Sequence, residues 1–535
     1  MTSLDRWRIT GLLTVRTPLH VGSGVPAPLN APRKEAFTHG REVTSVGGVA
    51  TAHDGAAYIP ASSLKGCLRS WLKLHTSAGA DALIMDLFGY QDSEKPGEGC
   101  GGILEFHDCF ATLPNGFAVQ GECYWDSMRK TCISVGVAID RMTRTAADKL
   151  LYHYEYVPAE VVFTLTIDAQ GATIEGIQLL LRALSACNLD ADGVAFGADT
   201  AGGDGKLTWK PESVFHLPES QIAAWLETDG LVAGFATLPL RADSKQLLAG
   251  AAQDRTATRR PLMVIDLQIQ IAGNFLVNDP GRTGRRDDNG EHSRAFRRSR
   301  GGQAILPPRS LQGALRSQAE RIARTLGGLK AVSSIKELNL AGEGGQTRLA
   351  TELCPVSRLF GAPGWRKPMR CSAFEQQATV EQAEEAQVVQ DFVAIDRFTG
   401  GVSGDRKFDA EAMYHPLLKG SIVVDLAALE STRAGAGTLA LLALTLRDLW
   451  EGDVVLGSAG AKGYGAVEQV ACAGVRAPAW NELPDSFRLM LEKSNLAEST
   501  WADLIQCRLT PAVTGWLQIG IDQLKLEAES YARRP

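Results

Sequence analysis

Two segments of the chain combine hydroxyl, amide and basic side chains at the expected beginning of a helix. These side chains are Ser62, Ser63, Lys65 and Arg69 in the first segment and Arg309, Ser310, Gln312 and Arg316 in the second. A helix N-terminus offers unpaired N–H groups and a positive dipole end, which suit a phosphate. The alternative is a plain helix start with solvated charges, capped by Ser62 or Ser63. Basic residues in both segments favour the phosphate site.

A glycine-rich stretch, Gly457–Gly465, lets the backbone approach a ligand closely. Its successive amides predict an anion-binding nest, to which Lys462 adds a positive charge. It lacks the Gly-Lys-Ser/Thr signature of a Walker loop. The similar stretch Gly197–Leu207 contains Asp199 and Asp204 and is expected to bind phosphate less well.

Two pentapeptides, Ile139–Thr143 and Ile395–Thr399, each join an Asp-Arg pair to a residue that could wedge or stack against a base. That residue is Met142 in the first copy and Phe398 in the second. Taken alone, the pair Asp140–Arg141 favours a structural ion pair instead.

A possible zinc site comprises Cys100, His107, Cys109 and Cys123. The spacing lacks the paired knuckles of structural zinc sites, and residues 103–113 are predicted to form a strand. Ordinary buried thiols are therefore favoured, and structural zinc is not expected.

The composition is that of a globular protein, with 535 residues, 44% hydrophobic and 22% charged. No apolar run approaches a membrane span, and the N-terminus lacks a signal-peptide pattern, so we expect a cytoplasmic protein with no membrane contact. The net charge of −6 opposes nucleic-acid binding unless basic residues cluster. They do so between Arg282 and Arg300, which predicts either a phosphate-contacting or a solvated loop.

Five landmarks occur twice in the same order, which indicates a tandem duplication. The pairs are residues 59–70 with 306–317, 87–89 with 359–361, 138–143 with 394–399, Tyr152-His153 with Tyr414-His415, and 197–207 with 457–467. Each half has the pattern of an α+β, ferredoxin-like unit, in which an antiparallel sheet is covered by helices. The predicted domains are 1–220 and 261–475, separated by a linker at 221–260 and followed by a C-terminal helical extension at 476–535.

Together these motifs, preceded by Thr17–Gly24, resemble the RAMP superfamily. They are most similar to the repeating backbone subunits of the Csm- and Cmr-type (type III) CRISPR effectors, and two fused copies resemble double-backbone subunits. The resemblance covers both halves but neither the linker nor the extension. It implies an antiviral ribonucleoprotein with a guide crRNA, a target RNA, other RAMP subunits, and large and small subunits as partners.

The resemblance further implies that each half binds guide phosphates and sugars, largely without reading sequence. Projecting thumbs at 139–156 and 395–415 would kink the guide–target duplex. The residues expected to contact RNA are His20, Ser62, Ser63, Lys65, Arg69, Arg141, Met142 and Arg144 in the first half, and Arg309, Ser310, Gln312, Arg316, Arg397, Phe398, Lys462 and Tyr464 in the second.

In catalytic members of the family, an Asp in the loop before the first helix supports metal-dependent cleavage of target RNA. The first half has no carboxylate near Val49, where this Asp is expected, and offers only Asp54. The second half offers Asp279, Asp287 and Asp288. A transient Mg²⁺ or Mn²⁺ on Asp279 and Asp288 would offset the charge that develops on the phosphate.

Two alternatives remain open. The chain could be a non-catalytic scaffold of the same complex, with these acids solvated. It could also be an endoribonuclease that processes the guide precursor through a histidine acid–base site. His20 and His53 lack an obvious second histidine for that role.

Overall fold

A computed structural model describes most of the chain in two compact units. The described residues are 4–27, 47–76, 78–91, 99–117, 125–139, 146–189, 193–230, 234, 238–239, 246–247, 261–279, 282, 292–299, 302–333, 352–430, 435–483, 485–493, 497–505 and 510–533. The first unit comprises 1–137, 151–200 and 204–259, and the second comprises 138–150, 201–203 and 260–535.

The first half of the chain is built on an antiparallel sheet. Its strands are β1 (Arg6–Val15), β2 (Gly22–Pro26), β3 (Gly47–Val49), β4 (Tyr58–Ile59), β5 (Gly89–Gln91), β6 (Gly99–Gly101), β7 (Leu104–Phe106), β8 (Cys109–Thr112), β9 (Cys132–Ile139), β10 (Ala146–Tyr156), β11 (Val162–Gln170) and β12 (Leu207–Leu217). Its helices are α1 (Ala61–His75), α2 (Asp81–Phe88), α3 (Ile174–Ser185) and α4 (Ile222–Trp225). The main antiparallel sheet of this half has the order β12-β1-β11-β8-β4, with β7 also paired to β11.

Alternation along β1 determines which face of this sheet is covered. Every second residue from Trp7 to Val15 is buried, whereas the residues between them are half-buried. Because side chains of a strand alternate between faces, the buried set points to one side, where Leu68 of α1 and Leu180 of α3 join the same core. This arrangement confirms the predicted ferredoxin-like class.

The second half repeats this plan. Its strands are β13 (Leu262–Ala272), β14 (Asn274–Phe275), β15 (Ile305–Leu306), β16 (Met369–Cys371), β17 (Phe374–Gln376), β18 (Gln387–Ile395), β19 (Val402–Tyr414), β20 (Leu417–Asp425) and β21 (Ala466–Arg476). Its helices are α5 (Pro308–Gly327), α6 (Pro355–Phe360), α7 (Val380–Glu385), α8 (Leu426–Glu430) and α9 (Gly435–Trp450). Read from its other end, the first sheet is β4-β8-β11-β1-β12. The sheet order of the second half, β15-β17-β20-β13-β21, corresponds to it strand for strand.

The C-terminal extension is helical, as predicted, with α10 (Asp485–Lys493), α11 (Glu498–Ile505) and α12 (Pro511–Ala532). Helix α12 buries Trp516 and Leu524 in the core of the second unit. At Gly327 of α5, a Cβ would lie 2.5 Å from the Cβ of Ala528, so α12 approaches this end of α5 closely. The extension is therefore part of the second unit's core.

Three expectations need correction or lie partly outside the described residues. Helix α1 begins at Ala61 after Pro60 and has no side-chain cap in the described structure, so Ser62 and Ser63 lie in its first turn and the predicted capping is wrong. The strand predicted over 103–113 is interrupted between β7 and β8. The linker 221–260 begins with α4, and most of it lies outside the described residues.

Within the described part of the chain, no helix has the length and apolar character needed to cross a membrane.

Candidate nucleic-acid interface

The glycine-rich loop of the first half is anchored to the segment that follows β1. Ala198 N–H donates to the His20 carbonyl (2.8 Å), and Gly205 N–H donates to the Pro18 carbonyl (2.8 Å). A Cβ at Gly197, where φ is +75°, would lie 2.2 Å from the same His20 oxygen. Glycine is required there because the two chain segments touch.

The glycine-rich loop of the second half makes the same contacts. Ser458 N–H donates to the Leu276 carbonyl (2.7 Å), and Gly465 N–H donates to the Asn274 carbonyl (2.8 Å). A Cβ at Gly457 would lie 2.5 Å from the Leu276 oxygen. The similarity between residues 197–207 and 457–467 is therefore one of backbone conformation, and it makes Leu276 the counterpart of His20.

Most amides of the second loop are already used. Lys462 N–H donates to Ala459 (2.8 Å), Gly463 N–H to Gly460 (3.0 Å) and Tyr464 N–H to Ala459 (3.4 Å). An anion nest needs unpaired amides, so the predicted nest is wrong for these three. The loop also offers an anion the exposed side chain of Lys462.

Tyr464 does not present a stacking surface. Its side chain is 3% exposed, and its hydroxyl donates to Gln390 Oε1 (2.6 Å). Burial raises the pKa of the hydroxyl, while a hydrogen bond with Asn274 lowers it. In this structure the ring joins the loop to strand β18, and the RNA contact of Tyr464 stays a prediction.

A cation–aromatic cluster lies beside Tyr464 and was missed in the sequence. Phe392 of β18 and Phe408 of β19 are cross-strand partners, and their rings stack with centroids 5.1 Å apart. The Lys462 ammonium lies 4.1 Å from both centroids, and the Arg294 guanidinium lies 5.6 Å from that of Phe408. The sequence signal for this cluster is the presence of Phe392 and Phe408 in two strands that pair with each other.

The tip between β18 and β19 presents Phe398 to solvent. Asp396 Oδ1 accepts from the N–H groups of Phe398 (2.8 Å) and Thr399 (2.9 Å), so it holds a tight turn. These bonds, that of Thr399 foremost, lower the pKa of Asp396. The aspartate of this motif is thus a turn residue in the second copy, and Arg397 is exposed. Phe398 is 101% exposed.

The N-terminus of α1 is partly occupied by protein groups. Ala61 N–H donates to Asp108 Oδ1 (2.7 Å), and the N–H groups of Ser63 and Leu64 donate to the Pro60 carbonyl. A carboxylate at this end competes with a phosphate for the same dipole.

The side chains of this segment leave the phosphate site an open prediction. Ser62 is exposed, whereas Ser63, Lys65 and Arg69 are half-buried. The buried Nε of Arg69 has no hydrogen-bond partner in the described structure.

The corresponding helix α5 uses two of its predicted RNA contacts internally. Gln312 is 8% exposed, and its Oε1 accepts from Lys367 Nζ (2.7 Å). Arg316 donates to the Gly361 carbonyl (2.9 Å) and to Ser357 Oγ (3.2 Å). Gln312 and Arg316 therefore stabilise the domain in this structure, and their RNA contacts stay predictions.

The other two residues of that segment, Arg309 and Ser310, are half-buried at the start of α5. Their RNA contacts stay predictions.

His20 is held by the backbone. Its Nδ1 lies 2.6 Å from the Glu155 carbonyl and must carry a proton to donate to it. In the neutral ring Nε2 is then an acceptor, so His20 can donate to a phosphate only when it is protonated.

Glu155 of β10 carries a buried ion pair. It is 0% exposed and accepts from Arg129 (2.7 and 2.8 Å), Thr131 Oγ1 (2.5 Å) and Val49 N–H (2.8 Å). Burial alone would raise the pKa of Glu155, but the hydrogen bonds from Arg129 and Thr131 lower it overall. Leu19, next to His20, forms a β-bridge with Val157, which lies two residues after Glu155.

The same arrangement occurs at Glu411 of β19. Phe275, next to Leu276, pairs with Met413, which lies two residues after Glu411. Because Leu276 is the counterpart of His20, Glu411 is the counterpart of Glu155. It accepts from Arg282 Nη2 (2.5 Å). This register shows that the match of Tyr152-His153 with Tyr414-His415 is wrong.

The described carboxylates in the loops before α1 and α5 do not belong to a group of three that could bind a metal ion. Asp54 is exposed, and its Oδ1 accepts from Ala56 N–H (3.0 Å). Asp279 is half-buried, and its N–H donates to the Ala295 carbonyl (2.9 Å). Among the described residues, the group of three that could share a cation is Asp448, Glu451 and Asp453 at the end of α9. The predicted metal site at Asp279 and Asp288 stays a prediction, because Asp288 lies outside the described residues.

The residues of the possible zinc site have other environments. His107 Nε2 pairs with Asp168 Oδ2 (2.8 Å), and Cys100 is exposed. Burial raises the pKa of the Cys109 thiol to about 12.

Six predicted residues lie outside the described part of the chain. They are Cys123, Arg141, Met142, Arg144, Asp287 and Asp288.

Comparison with known proteins supports the duplication. The family model described as the RAMP superfamily matches residues 12–208 and again residues 269–468, which together make up more than half of the chain. The two matches fall on the two halves that share the sheet order and the glycine-rich loop. No curated protein matches the chain.

Proposed function

Because this chain belongs to the RAMP superfamily, which is associated with CRISPR effector complexes, we propose that it is a backbone subunit of a type III effector. In this proposal both domains bind the guide crRNA, and their hairpins contact the guide–target duplex. The partners are the target RNA and the other RAMP, large and small subunits of the complex.

The observation that supports an RNA partner best is the exposure of Phe398. A large aromatic side chain that is 101% exposed has no packing role in the chain itself. It is carried on a turn fixed by Asp396, so it is presented in one place. Stacking of a base on such a ring contributes about 1–3 kcal/mol and tolerates any base, which suits a guide of arbitrary sequence.

Cleavage of the target RNA by at least one half is a separable part of the proposal. It depends on Asp54 in the first half and on Asp279, Asp287 and Asp288 in the second, with Mg²⁺ or Mn²⁺ on Asp279 and Asp288. The alternatives are a scaffold that does not cleave and an endoribonuclease that acts on the guide precursor.

RNA binding is tested by purifying the full chain from cells that express the rest of the complex and sequencing the RNA that it retains. A uniform population of short guides supports the proposal. A chain that carries no RNA, and that binds no single-stranded RNA in a filter assay, contradicts it.

Cleavage is tested with the assembled complex and a guide-matched RNA in Mg²⁺ or Mn²⁺. The variants are Asp54→Ala, Asp279→Ala, Asp287→Ala and Asp288→Ala, and Asp391→Ala in β18 is the control carboxylate. Loss of one cut in a loop variant alone assigns the cutting half. Cuts that persist in all four refute these residues, cuts that never occur support the scaffold, and cleavage restricted to the precursor supports the processing enzyme.

A further inference from the structure

Two cations lie over the stacked aromatic rings of the β18–β19 hairpin. Lys462 lies over the rings of Phe392 and Phe408, and Arg294 lies over Phe408. Burial lowers the pKa of Lys462, and the charge of Arg294 lowers it further. Among the described residues, no carboxylate acts on the pKa of Lys462 to offset this repulsion.

Aromatic rings attract cations through their negative faces but carry no net charge. The rings therefore hold the two cations in place without neutralising them. Two like charges kept together without a counter-charge are a suitable site for an anion.

Both cations are fixed to the same hairpin. The loop of Lys462 is joined to β18 by the hydrogen bond from Tyr464 to Gln390. Arg294 N–H donates to the Asp409 carbonyl (3.2 Å), and the carboxylate of Asp409 accepts from the N–H group of Ser293 (2.9 Å). The separation of the cations is thus set by β18, β19 and the segments on them.

We propose that Lys462 and Arg294 together bind one backbone phosphate of single-stranded RNA, and that Phe392 and Phe408 position the two cations. This inference rests on the proposed function and names a contact point for the RNA. An arginine offers two parallel donors to a phosphate and a lysine adds a point charge, so the pair is complementary to a phosphodiester. The Lys462 ammonium covers the rings, so this cluster binds a phosphate and not a base.

The test measures the affinity of the full chain for labelled single-stranded RNA as a function of salt. Lys462→Met and Arg294→Met keep apolar stems and remove one charge each. Each is expected to weaken binding roughly tenfold, because a charge-assisted hydrogen bond is lost. The slope of log K against log salt should fall by about 0.7 for one phosphate. The double variant should lose less than the product of the two effects, because one phosphate is shared.

The matched control is Lys407→Met. Lys407 precedes Phe408 in β19, so its side chain points to the opposite face of the hairpin, where it pairs with Asp391 (3.6 Å). Its removal should leave both the affinity and the salt slope unchanged.

The positioning role is tested with Phe408→Leu, which retains both cations, and Phe408→Tyr, which retains the ring. The leucine variant should bind RNA several-fold more weakly and the tyrosine variant like the wild type, at equal melting temperatures. Equal binding by both would overturn the positioning role. If the leucine variant does not fold, the lysine and arginine variants still decide the phosphate site.

The outcomes separate this inference from the proposed function. A chain that binds no RNA contradicts the proposed function. A chain whose Lys462→Met and Arg294→Met variants bind RNA with wild-type affinity and salt slope overturns the phosphate site alone. If inorganic phosphate raises the melting temperature of the wild type but not of these variants, while their RNA binding is unchanged, the site takes a free anion and not RNA.

Discussion

Replacing Arg129 by Met removes the charged partner of Glu155 and leaves the apolar stem. The Glu155 carboxylate, 0% exposed, would lose its counter-charge and keep the bonds from Thr131 and the Val49 N–H. Removing one partner of a buried ion pair costs about 3–5 kcal/mol, because the remaining charge is buried without compensation. We expect a loss of that size in the stability of the first unit.

The loss should depend on pH. The folded-state pKa of Glu155 lies below its ordinary value of 4.5, so its stabilising contribution is present above that value and is lost as pH falls through the folded pKa. Without Arg129, burial raises the pKa of this carboxyl, which is then protonated more easily. The difference between wild type and Arg129→Met should therefore be largest at neutral pH and shrink in acid.

Hydrogen exchange measures this locally, because the Val49 N–H donates to Glu155 itself. Exchange at Val49 should accelerate in Arg129→Met at pH 7, with a lower melting temperature for the first unit. The control is Lys407→Met, whose surface pair should contribute less than about 1 kcal/mol. Unchanged exchange at Val49, or an equal loss in the control, would refute the reasoning.

Three further changes separate structure from RNA contact. Phe398→Ala should leave the melting temperature unchanged because the ring is fully exposed, yet weaken RNA binding by about 1–3 kcal/mol in an anisotropy assay. Arg316→Met should destabilise the second unit by about 1–3 kcal/mol, since it loses its bond to the Gly361 carbonyl, without changing the salt slope of RNA binding. Burial raises the pKa of Glu527 to about 7 against the effect of Arg358, so stability should decline as pH rises from 4.5 to about 7. Glu527→Gln should abolish that decline in melting temperature.

The sequence predicted the fold because each element carries its own local signal. Alternation along β1 and the run of apolar residues at helical spacing in α3 are visible without tertiary information. The duplication can be recognised in the sequence because both halves retain a glycine, at 197 and at 457. A Cβ at either position would clash with a neighbouring carbonyl oxygen, so glycine is required. The Tyr-His match failed because it rested on residue types without such a constraint.

The site was predicted less well because motif residues have two uses that the sequence does not distinguish. Tyr464 and Arg316 lie in matching motifs, yet their partners Gln390 and Gly361 are distant in sequence and take them into the interior. Conversely, the sequence shows Arg294 only as part of the basic stretch between Arg282 and Arg300. Its relation to Lys462 depends on strand pairing, which spacing along the chain does not reveal.

The duplication also localises the difference between the halves. The two glycine-rich loops make the same backbone bonds, so a difference in phosphate affinity between them must come from side chains. Counting from Gly197 and Gly457, Lys462 of the second loop corresponds to Gly202 of the first. The first loop therefore lacks the ammonium on which the phosphate site depends. We accordingly expect the salt dependence of RNA binding to be greater in the second half than in the first.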